Sequence, residues 1–195
     1  RMREYVERLS RREQDSQAVL ELTQALASTL NIRHILFTVV RRVAEVANVD
    51  RCSIGLVSED ETMGHVVASS DDEQMRDLTI SLSKYPEIRE VLRTGNSLVI
   101  RDVSQHPLLD AVRESEPSLG FTSLALVPIT HEQRPMGVIF LRSREPAAFA
   151  DHEISLVHTV ANATAIALRN ARILKLLRDE SMQSAFARVE AERRV

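Results

Sequence analysis

Apolar residues recur at helical spacing near both ends of the chain. Residues 3–30 begin mostly charged and then carry apolar residues three or four positions apart, which predicts a helix. A last helix is predicted from a cap at Asp151 to about Arg193, because no residue in that range breaks a helix. Between them, a second helix is predicted with Asn31 as its cap and one apolar stripe, formed by Ile32, Leu36, Val39, Val40, Val43 and Val46.

The middle of the chain has shorter apolar runs that are typical of strands. A hairpin is predicted from residues 52–57 and 65–68, and further strands are predicted at 97–101, 120–130 and 136–142. A short helix is predicted at 86–93, with Pro86 in its first turn and Gly95 beyond its end. Because the strands are grouped together, the pattern favours an α+β fold, with an antiparallel sheet of five to six strands flanked by helices.

Glycine and proline divide the chain into three parts. All 5 glycines and all 6 prolines lie between Gly55 and Pro146, so neither end contains a helix breaker. We therefore predict an N-terminal linker helix at 1–16, a globular domain at 17–172 and a C-terminal coiled-coil linker helix at 173–195.

The last helix carries a seam with alternating steps of four and three residues, which is the spacing of a coiled coil. A helix of about 40 residues is also longer than one small sheet can cover at about 1.5 Å per residue. We therefore expect a homodimer formed through this helix; the alternative is that it packs only on its own sheet. The seam residues are Ala163, Ala167, Asn170, Leu174 and Leu177.

Composition excludes several classes of protein. The 195 residues are 44% hydrophobic and 27% charged, which is typical of a folded soluble protein, and the net charge of −3 predicts no nucleic-acid partner. No apolar run approaches the roughly 20 residues of a membrane span, so we expect no membrane span and a cytoplasmic location. The single cysteine, Cys52, excludes an intramolecular disulfide. Since the first residue is Arg1 rather than Met, we expect the chain to be part of a longer protein.

Five segments together resemble the GAF domain family across about residues 17–172. They are DRCSIGLV, KYPEIREVLRTGNSLVIRDVSQHPLL, LGFTSLALVPI, MGVIFLRS and FADHEISLVHTVANATAIALRNARIL. The resemblance implies an antiparallel six-stranded sheet with helices on one face and a small-molecule pocket on the other. It also implies a sensory domain of a bacterial two-component or cyclic-dinucleotide signalling protein.

The chain lacks the motifs of common catalysts, so we expect no enzymatic activity from this domain. Phosphate-loop, nucleophile-elbow and zinc-protease motifs are absent. Members of the resembled family that reduce methionine sulfoxide need several cysteines, whereas Cys52 is more typical of a small buried apolar residue. No metal site is predicted from the scattered histidines, and no cofactor is identified.

The same resemblance bears on ligands of related domains. Attachment of a bilin needs a cysteine in the later helical region, where this chain has none. Cyclic-nucleotide-binding members carry an Asn-Lys pair where Arg142 and Ser143 stand, so a cyclic nucleotide is disfavoured. If another small molecule binds, we expect its site between Tyr85 and Ser123.

Six residues in that segment are the candidates for binding a ligand. Each has a structural alternative: Tyr85 as a turn anchor, Phe121 as core, and Arg101 with Asp102 as a surface or loop-capping pair. Thr122 and Ser123 offer hydroxyl groups beside Phe121. The candidates are Tyr85, Arg101, Asp102, Phe121, Thr122 and Ser123.

Two functions follow as hypotheses. The first is a small-molecule-sensing regulatory domain that passes a conformational signal through its terminal helices to an output domain of the histidine kinase or diguanylate cyclase type. The second is a structural dimerisation and spacer module with no ligand. The first stretch, RMREYVERLSRR, resembles the helix that follows receiver domains, so covalently linked receiver and output domains are expected partners.

Overall fold

The structure, a computed structural model, describes the backbone of residues 29–75 and 78–192 and the side chains of residues 32–75 and 78–173. Residues 33–168 form one compact unit, and the described residues outside it belong to a second unit. The N-terminal helix predicted for residues 3–30 lies almost wholly outside the described residues. The elements in chain order are α1 (Thr29–Val46), β1 (Arg51–Val57), β2 (Met63–Ser69), β3 (Leu78–Ser81), α2 (Pro86–Thr94), β4 (Leu98–Ile100), α3 (Asp110–Ser115), β5 (Ser123–His131), β6 (Arg134–Ser143) and α4 (Asp151–Glu192).

The six strands form one antiparallel sheet in the order β3-β2-β1-β6-β5-β4. The predicted α+β fold with an antiparallel sheet is therefore confirmed, with six strands. Sequence patterns missed two elements, the edge strand β3 and the short helix α3. The long hairpin of β5 and β6 lies between β1 and β4, and its turn residues Glu132 and Gln133 both have positive φ, at 49° and 63°. That conformation matches the right-handed twist of the two strands it joins.

Helix α2 packs on one face of the sheet. Pro86 stands in its first turn and Gly95 ends it with φ of 68°, which confirms the predicted start and stop signals. Side chains from α2, from β4 to β6 and from the 3₁₀ turns beside them form one apolar cluster with alternate residues of the central strands. Its buried members are Leu82, Ile88, Val91, Leu92, Ile100, Val103, Leu109, Leu124, Leu126, Val138 and Phe140.

The other face of the sheet is equally buried. Cys52 and Ile54 of β1, with the intervening residues of β5 and β6, are covered. Helices α1 and α4 each bury one side, so we infer that they cover this face. The buried residues of the two helices include Leu36, Val40, Val43, Val157, Ala161 and Ala165.

Three details of the predicted helices are wrong. Asn31 does not cap a helix, because α1 begins at Thr29 and runs through it. Val46 was assigned to the apolar stripe but is 58% exposed, and Ala47 is buried beyond it. Asp151 is already helical; the backbone N–H of Ala150 donates instead to Glu153 Oε2 at 2.8 Å, so Glu153 supplies the side chain that satisfies this helix end.

None of the helices in the described ranges is both long and apolar enough to cross a membrane.

The β1–β6 contact provides a test of this register. A methyl group at Gly137 would overlap the carbonyl oxygen of Gly55 and approach Leu56 Cα to 3.0 Å. Since backbone atoms cannot move aside, we expect Gly137→Ala to lower the free energy of unfolding by about 3 kcal/mol.

The control for this test is Gly55→Ala in the same strand pair, where the added methyl would meet only Val138 Cγ2 at 3.9 Å. Its effect should stay below about 1 kcal/mol in urea unfolding followed by circular dichroism. Equal stabilities of the two variants would contradict the register.

Candidate functional site

Arg142 is a charged residue near the end of a central strand. It alternates with Val138 and Phe140 along β6, so its side chain lies on the α2 face of the sheet. The guanidinium carbon lies 4.5 Å from the ring centroid of Phe140 and 4.9 Å from that of Phe121. The two aromatic rings stabilise the cation through their π faces but accept none of its ordinary hydrogen bonds.

The guanidinium of Arg142 has no hydrogen-bond acceptor among the described residues, and its Nε is fully buried. Burial lowers the pKa of Arg142, the charge of Arg51 adds to that effect, and Glu87 opposes it. An arginine stays protonated despite such a shift, so the site holds a positive charge with one buried N–H donor, Nε, that has no acceptor among the described residues.

Glu87 is the second unmet group on this face. It stands in the first turn of α2, four residues before Val91, and its side chain is only 5% exposed. Its Oε2 is buried with no hydrogen-bond donor among the described residues. Burial raises the pKa of Glu87, while its own backbone N–H and the charge of Arg142 act in the opposite direction.

Polar side chains of β1 and β2 continue the same face beyond Arg142. Arg51 pairs directly with Arg142 in the strand register, and its Nε donates to Asp71 at 2.8 Å. Ser69 Oγ donates to Asp71 at 2.5 Å and lies 3.1 Å from Ser53 Oγ. These hydrogen bonds hold a polar rim whose groups already have partners, in contrast to Arg142 and Glu87.

A groove of about 640 Å³ opens nearby on the surface, between the loop after β4 and the segment before β5. Phe121 lines it and also contacts the guanidinium of Arg142, so the groove and the buried cation share one wall. Arg113 braces the groove, because its side chain donates to the carbonyl oxygens of Val103 at 2.6 Å and His106 at 3.0 Å.

The six sequence-predicted residues fall into three groups. Tyr85 and Phe121 both pack against the apolar cluster beneath α2. Asp102 and Thr122 line the groove together with Phe121.

Arg101 and Ser123 lie apart from both places. Arg101 is exposed and its carbonyl accepts from the Ala147 N–H, and buried Ser123 donates to the Glu145 carbonyl at 2.6 Å. Asp102 itself accepts from the N–H and hydroxyl of Ser104, which lower its pKa and make it a loop cap as well.

Sequence reasoning missed Arg142 and Glu87 as candidates, although each carried a signal. Arg142 is in phase with Val138 and Phe140 on a period of two, and Glu87 is in phase with Val91 on a helix. Both positions predict burial, and a charged residue at a buried position is a marker of function.

Cys52 is fully buried, and burial raises the pKa of its thiol to about 12. A thiol in that state is a poor nucleophile. Among residues 29–75 and 78–192, no group of three His, Cys, Asp or Glu side chains converges on a metal-sized site.

The predicted dimer seam is only partly described. Ala163, Ala167 and Asn170 are exposed on α4, and the side chains of Leu174 and Leu177 lie outside the described residues. Ile166 and Ile173, seven residues apart on the same helix, are also exposed, at 60% and 41%.

Comparison with known families identifies the family of this chain. The GAF domain family matches residues 31–168, which is more than half of the chain. The chain belongs to the GAF domain family. GAF domains are generally sensory and regulatory modules. No curated protein matches the chain by sequence.

Solved structures agree with the fold of this GAF domain. The GAF domain of an Acinetobacter phosphoenolpyruvate-protein phosphotransferase has a TM-score of 0.62 and 19% identity, covering 82% of this chain and 95% of that one. The blue-light absorbing form of the Thermosynechococcus elongatus PixJ GAF domain has a TM-score of 0.61 and 20% identity, covering 77% and 92%. A type II free methionine-R-sulfoxide reductase from Thermoplasma acidophilum has a TM-score of 0.58 and 18% identity, covering 71% and 93%.

The buried carboxyl of this GAF domain predicts an unusual dependence of stability on pH. Because the pKa of Glu87 in the folded state lies above its ordinary value of 4.5, protonation favours the folded state. Relative to Glu87→Gln, the wild type should therefore gain stability as the pH falls through the folded pKa toward 4.5.

Glu90→Gln on the same helix is the control, since Arg93 donates to Glu90 and lowers its pKa. Its contribution should be present above pH 4.5 and lost on acidification, a slope of opposite sign. Urea unfolding of the wild type and both variants, from above the folded pKa of Glu87 to below pH 4.5, measures how each carboxyl changes the free energy of unfolding with pH. If the contributions of Glu87 and Glu90 changed in the same direction, the burial of Glu87 would be contradicted.

Proposed function

We propose that this GAF domain senses a small polar molecule at Arg142 and Glu87 and passes a conformational signal through α4 to an output domain. The observation that carries the proposal is the buried Nε of Arg142, which has no acceptor among the described residues. Leaving a buried charged donor unmet costs free energy, and a bound ligand with an acceptor would recover it.

The connection to α4 is short, which supports signalling from this site. Only eight residues separate Arg142 from Asp151, where α4 begins. Within them, Ala147 N–H donates to the Arg101 carbonyl at 3.0 Å, and Phe149 is buried. A ligand that bound one arrangement of α4 tenfold better would supply about 1.4 kcal/mol to shift a balanced equilibrium.

The proposal extends to the parts of the protein beyond this chain. The output domain is of the histidine kinase or diguanylate cyclase type, and a receiver domain precedes the GAF domain. The domain acts in the cytoplasm, where a single buried thiol such as Cys52 stays reduced. It acts as a regulatory module without thiol catalysis, because its single cysteine, Cys52, is buried with a raised pKa.

The ligand prediction concerns Arg142→Met, which keeps the apolar stem and removes every donor. Wild-type protein, purified and then denatured, should release a small molecule in near-stoichiometric amount, detected by mass spectrometry. Arg142→Met should release about tenfold less or none, because the charged anchor is gone.

Arg134→Met, at the exposed opposite end of β6, is the matched control and should release the same amount as the wild type. If the wild type released nothing and no cell extract raised its melting temperature, the second hypothesis, a dimerisation and spacer module without a ligand, would replace the first.

The dimer is part of the same proposal, with a second copy as the partner of α4. Its 42 residues exceed what one sheet covers, and Ala163, Ala167 and Ile166 are exposed along it. We expect Ile166→Glu to convert the dimer to monomer in light scattering without changing the circular dichroism spectrum, because a charge would enter the exposed apolar surface beside the seam residues Ala163 and Ala167.

His152→Glu, on the exposed first turn of α4, is the control and should remain dimeric, since an acidic residue is favourable at a helix start. A wild-type protein that stayed monomeric at high micromolar concentration would refute the dimer.

A further inference from the structure

The groove beside Phe121 is large enough to hold a small molecule. Its volume of about 640 Å³ falls within the roughly 300–1,000 Å³ of ordinary ligand sites. Leu119 and Phe121 line it, are half-buried and also pack against the apolar cluster beneath α2. Pro117 and Pro146 add further apolar surface to the lining. The groove therefore offers the body of a ligand an apolar wall that the core supports.

Three charged side chains line the groove, and two of them already have partners. Arg113 donates to two backbone carbonyl oxygens and forms an ion pair with Asp110. Asp102 accepts from the backbone N–H of Ser104 at 2.9 Å and from its hydroxyl at 2.5 Å. These contacts shape the walls of the groove and leave the third charged residue, Arg144, as the one that can bind a ligand.

Arg144 has a fixed backbone and an uncommitted side chain. Its backbone N–H donates to Asp50 Oδ2 at 2.6 Å. The next residue, Glu145, donates its N–H to Ser143 Oγ at 3.1 Å and accepts from Ser123 Oγ at 2.6 Å. The guanidinium of Arg144 has no hydrogen-bond or ion-pair partner among the described residues. Its planar fork of donors can therefore bind an anion with two oxygens at two points.

Backbone donors line the same groove. None of the N–H groups of residues 118–121 donates to a described residue. Gly120 has φ of 71°, and apart from its chain neighbours no heavy atom lies within 4 Å of the place where a Cβ would stand. A ligand can therefore approach the backbone closely there, and successive N–H groups in a turn can bind an anion.

We propose that this groove is a second binding site, for an organic anion whose carboxylate or phosphate binds Arg144 and the N–H groups of residues 118–121 and whose apolar body lies against Phe121. The site goes beyond the sensing site at Arg142 and is separate from it, although Phe121 borders both. Arg144 and Pro146 belong to the connection between β6 and α4, so an anion bound here contacts the segment through which the signal to α4 would pass.

The test titrates three sets of probes into the isotope-labelled full chain, followed by calorimetry and by backbone amide chemical shifts. The first set joins an anion to an apolar body: phenylacetate, phenylpropanoate, octanoate and phenyl phosphate. The second holds their neutral counterparts, the three amides and phenol, and the third holds acetate and inorganic phosphate. At least one probe of the first set should bind about tenfold more tightly than its neutral counterpart and its bare anion, with the largest shifts at residues 118–121. The relative affinities of the carboxylates and phenyl phosphate distinguish the two head groups.

Three variants locate the anion. Arg144→Met should weaken binding of that probe about tenfold or more, because the guanidinium is lost. Arg101→Met is the matched control and should bind as the wild type does, since Arg101 is equally exposed and without a side-chain partner among the described residues but does not line the groove. Arg142→Met should keep the affinity within about threefold, because the groove lining does not include Arg142.

Four results would overturn the second site. They are failure of every probe of the first set to bind, equal binding of anions and neutral counterparts, equal losses in Arg144→Met and Arg101→Met, and a loss in Arg142→Met as large as that in Arg144→Met. None of them refutes the sensing function at Arg142, which depends on whether purified protein releases a molecule in an Arg142-dependent manner. The two proposals therefore fail separately.

Discussion

The burial of the β5–β6 hairpin on both faces is the constraint on which the rest of this structure depends. Residues 123–129 of β5 are all buried, as are residues 137–141 of β6. Alternate side chains therefore enter two separate apolar layers, one beneath α2 and one beneath α1 and α4. A charged group on these strands is unfavourable unless something neutralises it, which makes Arg142 the exception that calls for an explanation.

Local patterns were sufficient to predict most of the fold because most elements carry their own signals. Pro86 and Gly95 mark both ends of α2, and apolar runs mark β5 and β6. The strand β3 carries no such signal, since it has four residues at a sheet edge and Leu78 is 52% exposed. Its existence depends on pairing with β2, and α3, with no buried residue, depends likewise on its surroundings.

The candidate site was harder to predict because its two charged groups are defined by tertiary packing. A charged residue in a strand or in the first turn of a helix is exposed in most proteins, so the phase of Arg142 and Glu87 with buried apolar residues was a weak signal by itself. Only the packing of α2 against β6 buries both. Phe121 was predictable because an aromatic residue before a buried strand is commonly part of a core or a pocket, and here it contacts both the cluster and the guanidinium.

Because side chains alternate along β6, substitutions in this strand affect one face of the sheet or the other. Val138, Phe140 and Arg142 lie on the face packed against α2, whereas Ile139 and Leu141 lie on the opposite face, beneath α1 and α4. A substitution at one set of positions leaves the neighbouring set in its own layer, because successive side chains of a strand never share a face. A substitution at Arg142 can therefore change the chemistry of the α2 face while the layer that contains Ile139 and Leu141 keeps its packing.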